Sequence, residues 1–119
     1  MSNVHRSSTS PRDILLKLFG DKWKFMIIGH LLNGPQYYGE LLANLEPISK
    51  KVLTQNLREL EEMMIVSKEI HQQNKIIKVQ YSLTKVGHSL KALLNDLMEW
   101  GVDYSRYYKN NVVKEQKNG

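Results

Sequence analysis

The chain has 119 residues, no cysteine, 17 Lys plus Arg against 12 Asp plus Glu, and a net charge of +5. That length supports one domain around one core. The missing cysteine excludes disulfide staples, thiolate nucleophiles and Cys-ligated zinc.

Met1 to Thr9 is rich in Ser and Asn, has no period and lacks the apolar stretch of a signal peptide. Residues 1–10 are expected to form a flexible arm. Ser10-Pro11-Arg12-Asp13 has the look of a helix start, with a Ser cap, Pro at the first position and an acid in the first turn. A first helix is expected over Pro11 to Phe19. Gly20-Asp21 breaks it, and Asp21 caps a second helix over Lys22 to Leu32 that carries Trp23, Ile27, Ile28, Leu31 and Leu32 toward a core. Asn33-Gly34-Pro35 is a turn. A short third helix spans Tyr38 to Leu45 and ends at Glu46-Pro47.

The most informative window is Ser49 to Met64. Leu53, Leu57, Leu60 and Met64 recur on one helical face. Lys51, Thr54, Gln55 and Arg58 fall on the opposite face, where long donors can reach base edges and phosphates. Ser49 and Lys50 stand at the helix N-terminus, where backbone amides and the dipole favour a phosphate. The alternative is an ordinary solvated face. Two helices with a short connection have the spacing of a helix-turn-helix.

After Met64 the period falls to two. Val66 and Ile70, then Ile77, Val79, Tyr81 and Leu83, alternate with polar residues around a tip at Gln72-Gln73-Asn74-Lys75. This is a hairpin with Lys75 and Lys78 as candidate backbone contacts, joined more weakly by Lys68 and His71. A long last helix begins at Thr84. Its Leu90, Leu93, Leu97, Trp100 and Tyr104 repeat at heptad spacing, over a length greater than one small core needs. These five are expected at a homodimer interface. Lys109 to Gly119 reads as a polar tail, leaving 11–108 as the DNA-binding and dimerisation domain. The fold class is mainly α with a small β hairpin, a winged helix-turn-helix, dimeric through its N- and C-terminal helices.

Taken together, Gly20-Asp21-Lys22-Trp23, Gly34-Pro35 with Glu40-Leu41, Ile48-Ser49 with Leu53-Thr54-Gln55, Leu57-Arg58-Glu59-Leu60-Glu61, and Tyr81-Ser82-Leu83-Thr84 with Gly87 resemble the HxlR-type winged helix-turn-helix regulators of bacteria. The similarity covers about Ser10 to Tyr108. It implies a small homodimer that binds operator DNA and controls transcription, usually as a repressor, with the 49–64 helix in the major groove and the hairpin as wing. Many members sense oxidants or electrophiles through an N-terminal Cys-Pro pair. Here that position holds Ser10-Pro11, so thiol sensing is not expected, and any small-molecule effector would act non-covalently. Tyr37 stands where relatives often carry Arg, and Met63-Met64 replaces the Asp-Gly that usually ends the recognition helix.

No cofactor is called for. His5, His30, His71 and His88 lack metal-ligand spacing, and neither a phosphate-cradling glycine loop nor a nucleophile triad stands out. Trp23, Tyr37, Tyr38, Met98, Trp100 and Tyr104 could line a ligand cavity between subunits, but core and dimer packing is the commoner use of such residues. No apolar run reaches the length of a spanning helix, and the chain is read as cytoplasmic. The competing reading is a winged-helix module that binds protein instead of DNA. The Lys51/Arg58 face argues against it.

Overall fold

A computed structural model describes residues 10–118, with side chains to residue 112. The expected arm therefore lies outside the described residues except for Ser10. The chain divides into two compact units, Met1–His88 and Ser89–Gly119, and the expected 11–108 domain spans parts of both.

The first unit holds α1 (Pro11–Phe19), α2 (Lys22–Leu31), β1 (Gln36–Tyr37), α3 (Tyr38–Asn44), α4 (Lys50–Glu62), β2 (Val66–Gln73), β3 (Ile76–Leu83) and α5 (Lys85–His88). Three helices start on the side-chain caps the sequence provides. Asp13 N donates to Ser10 Oγ at 3.1 Å, Trp23 N to Asp21 Oδ1 at 2.8 Å, and Val52 N to Ser49 Oγ at 3.1 Å. The core is built from Ile27, Ile28 and Leu31 of α2, Leu41 and Leu45 at α3, and Leu53, Leu57 and Leu60 of α4, all fully buried.

The sheet is antiparallel in the order β1-β3-β2. The hairpin is present, with Val66 opposite Leu83 and Gln73 opposite Ile76. Its turn is tighter than expected. Only Asn74 and Lys75 connect the strands, both at positive φ (52° and 68°), the form whose twist suits a two-residue hairpin. The β1 strand was not expected. Gln36 and Tyr37 pair with Tyr81 and Gln80, a two-residue edge too short to show a period.

Three further expectations need correction. Met64 does not share the buried face of α4; the helix ends at Glu62 and Met64 is 75% exposed. Ile70 and Ile77 point to solvent instead of the core. The final helix is not continuous from Thr84. Thr84 Oγ1 donates to the carbonyls of Met64 and Ile65 and accepts from Gly87 N, which folds the short α5 against the start of the wing. A Cβ on Gly87 would collide with the Ile65 carbonyl, which explains glycine in that position.

The second unit carries α6 (Lys91–Asn118). Leu90 precedes this helix instead of lying in it, although Leu94 N still bonds to Leu90 O at 2.9 Å. The backbone stays helical from Lys109 to Asn118, within the stretch read as a polar tail.

Candidate nucleic-acid interface

The α4 helix is fixed at three points: its own N-cap, a phenol from α3 and an ammonium from α2. At its start, Ser49 is committed to capping. Lys50 and Lys51 occupy the first turn with no acid beside them. Cations there oppose the helix dipole at a cost of some tenths of a kcal/mol. That cost is reversed when an anion sits on the same amides.

From α3, Tyr38 Oη lies 2.9 Å from Thr54 Oγ1 and donates to the Lys50 carbonyl at 3.2 Å. One phenol thus ties the two helices of the motif together and holds Thr54. From α2 comes a side chain that the sequence reading overlooked. Lys24 is 3% exposed, and its ammonium donates to Asn56 Oδ1 at 3.0 Å and Glu59 Oε1 at 2.6 Å. Asn56 in turn donates to the Val52 carbonyl at 2.9 Å. The second Glu59 oxygen, Oε2, accepts from Gln55 Nε2 at 2.6 Å. Hydrogen bonds from Lys24 first and Gln55 second hold the Glu59 carboxyl below the usual carboxylate range, against the opposing pull of burial. Lys24 stands in the stripe Lys24, Ile27, Ile28, Leu31; a lysine in such a register implies a buried anionic partner. That signal was available in the sequence.

The structure brings Lys50, Lys51, Thr54, Gln55 and Arg58 onto the exposed side of α4. The side chains of Lys51 and Arg58 make no hydrogen bond or ion pair among the described residues. Lys75 and Lys78 lie apart from these on the hairpin. Lys75 is at the turn. Lys78 is on β3 opposite His71, with Nζ 5.3 Å from the centre of the Tyr37 ring, and Tyr37 meets His71 edge-on at 5.8 Å. Tyr37, Tyr38, Glu40, Ile77 and Lys78 line a shallow cleft where the wing meets α3.

Of the five expected interface residues, the four on α6 are exposed. Leu93, Leu97, Trp100 and Tyr104 are uncovered, Leu90 is half-buried, and Trp100 stacks on Tyr104 at 5.1 Å. In the first unit, Ile14, Leu15 and Leu16 of α1 are exposed as well. Among the described residues no cluster of His, Asp and Glu could hold a metal ion, and no helix is long and apolar enough to cross a membrane.

Residues 18–109 match the model of the HxlR-like helix-turn-helix family. The chain is 39% identical over 93 residues to the HTH-type transcriptional regulator YkvN of Bacillus subtilis (strain 168), covering 78% of each. Among solved structures it is similar to the redox regulator HypR in its reduced form, with a TM-score of 0.75 and 33% identity over 85% of this chain and 99% of that one. It is also similar to the HTH-type regulator ytcD, with a TM-score of 0.74 and 35% identity over 82% and 99%. With the helix-turn-helix, the wing and these likenesses together, the chain belongs to the HxlR-like helix-turn-helix family of DNA-binding transcriptional regulators.

Proposed function

We propose that this protein is a cytoplasmic, homodimeric, sequence-specific repressor that reads operator DNA with α4 in the major groove. The observation that carries the reading is the exposed Lys51/Arg58 face of α4, whose side chains have no partner among the described residues in a helix otherwise fixed by Tyr38 and Lys24. Gln55 and Arg58 are the base readers, Thr54 supports them, and Ser49, Lys50 and Lys51 bring the helix N-terminus to a phosphate. Lys75 and Lys78 place the wing on adjacent backbone. Leu93, Leu97, Trp100 and Tyr104 of α6, with Leu90 just before it, join two copies, which gives a two-fold reader for a two-fold operator. The uncovered apolar side chains of α1 and α6 support this. The named relatives are regulators, which supports a regulatory and not a catalytic role.

HypR is a redox regulator by name, and YodB has been solved in reduced and diamide-treated forms. This chain has no cysteine. Ser10, at the position the family gives to its reactive cysteine, caps α1. We therefore propose that it is not a cysteine redox sensor, with any effector bound non-covalently.

The test is fluorescence anisotropy with duplexes from a randomised pool. Binding should weaken steeply with salt. Neutralising about six phosphates gives a log–log slope near −5. No binding to any duplex at low salt overturns the reading.

A further inference from the structure

The Lys24–Glu59–Gln55 chain does more than stabilise α4. Each of its hydrogen bonds has a forced direction. An ammonium can only donate, and an ionised carboxylate can only accept. With Oε1 of Glu59 taken by Lys24 at 2.6 Å, its Oε2 can receive only a donor from Gln55. The Gln55 amide is therefore set in one of its two orientations. Nε2 turns back to Glu59, and Oε1 has no partner among the described residues. Gln55 itself is exposed on the face that carries Lys51 and Arg58.

On this basis we infer that Glu59 is a specificity-determining positioning residue, which presents Gln55 to DNA acceptor-first and selects adenine or cytosine over guanine at the base pair Gln55 meets. The inference rests on the proposed role of α4 as recognition helix. In the major groove, adenine offers the N6 amine beside the N7 acceptor, and cytosine offers the N4 amine. An outward Oε1 accepts from either amine, and the remaining Nε2 hydrogen can serve adenine N7. Guanine offers only O6 and N7, both acceptors, which would meet the Oε1 lone pairs. An unheld glutamine would rotate its amide and accept guanine as readily. Glu59 removes that freedom, and Lys24, buried and without another anion among the described residues, holds Glu59 in place.

The isosteric change Glu59→Gln reverses the device. Lys24 still needs an acceptor, so the new amide must give its carbonyl oxygen to Lys24 and turn its NH2 to Gln55. Gln55 then has to turn its own oxygen inward and its NH2 outward. The preferred base should change from adenine or cytosine to guanine.

The experiment begins with a duplex selected from a randomised pool by the unaltered protein. The base pair read by Gln55 is the one whose identity stops mattering in Gln55→Ala. Affinities for all four bases at that pair are then measured for the unaltered protein, for Glu59→Gln, and for Lys24→Met/Glu59→Leu, which removes both charges together. Circular dichroism checks folding. We expect adenine or cytosine to lead in the unaltered protein, with the ranking against guanine inverted about tenfold in Glu59→Gln. In the double variant the preference should collapse toward equality. An unchanged ranking in a folded Glu59→Gln overturns the inference, and guanine leading in the unaltered protein does the same. Should Glu59→Gln not fold, a double variant that keeps the full adenine or cytosine preference overturns it. Failure of the unaltered protein to bind any duplex overturns the DNA reading itself.

Discussion

The α4 and α6 helices are both amphipathic, yet they meet opposite fates. Leu53, Leu57 and Leu60 of α4 vanish into the core of the first unit. On α6, Leu93, Leu97, Trp100 and Tyr104 remain in water, with Trp100 64% exposed. Burial of each such side chain is worth about 1.5–3 kcal/mol. An apolar stripe left uncovered over several turns is the usual mark of a binding surface. The two helices show that periodicity states which face must be covered and is silent about what covers it. In α4 the same chain supplies the cover. In α6 we assign that task to a second copy.

The largest effect on DNA binding should come from breaking α6. Leu97→Glu together with Trp100→Glu puts two charges on the proposed seam. Truncating a buried aromatic anchor commonly costs about 2 kcal/mol or more. We expect sedimentation to show monomer at micromolar concentration, and operator affinity to fall by about a hundredfold. A variant that remains dimeric would mean that the α6 stripe serves something else.

Leu57→Ala probes the other helix. It should leave a cavity in the core and cost about 3 kcal/mol by urea unfolding. Leu97→Ala should act instead on the dimer dissociation constant. If Leu97→Ala lowered stability as much as Leu57→Ala at every protein concentration, the contrast between the helices would fail.

A smaller and pH-dependent effect is expected at Glu59. Its carboxyl is held below the usual range in the folded chain by Lys24 and Gln55. A folded value below the unfolded one means stability that is complete above the unfolded value, about 4.3, and lost as pH falls through the folded one. The stability advantage over Glu59→Gln should therefore be constant near neutrality and shrink below about pH 4. Urea midpoints across a pH series give the answer. An advantage that persists undiminished in acid would show that charge on Glu59 is not its source.

The helix-turn-helix and wing were legible because caps, breakers and periods agreed: Ser10, Asp21 and Ser49 cap the helices the sequence marks. The β1 strand was hidden because two residues carry no period, and its partner Tyr81 lies far along the chain. The break between α5 and α6 was hidden because Thr84 reaches back to Met64 and Ile65, a tertiary bond invisible to local pattern. In the candidate site, the polar face of α4 was legible by spacing. What holds that face was less so. Tyr38 and Glu59 are ordinary polar residues in sequence, and only the fold brings Tyr38 to Thr54 and Lys24 to Glu59. Lys24 was readable as an anomaly in the α2 stripe. Its partner was not.

The smallest effect, and one that should raise stability, is expected where α4 ends. Ile65 N donates to the Leu60 carbonyl at 3.0 Å and Met64 N to that of Glu61 at 2.9 Å, the paired bonds of a Schellman motif. That motif needs a left-handed residue, and Met64 fills it at φ 62°. A side chain in that conformation costs about 1 kcal/mol, because Cβ crowds the following carbonyl. Met64 is largely exposed, so its side chain returns little through packing. Met64→Gly should therefore stabilise the protein by roughly 0.5–1 kcal/mol, raising the melting temperature by a few degrees. Met64→Ala keeps the Cβ and should give no such gain. Neither change touches Lys51, Gln55 or Arg58, so DNA affinity should not move. A loss of stability in Met64→Gly would show that the exposed side chain contributes contacts that outweigh the backbone strain.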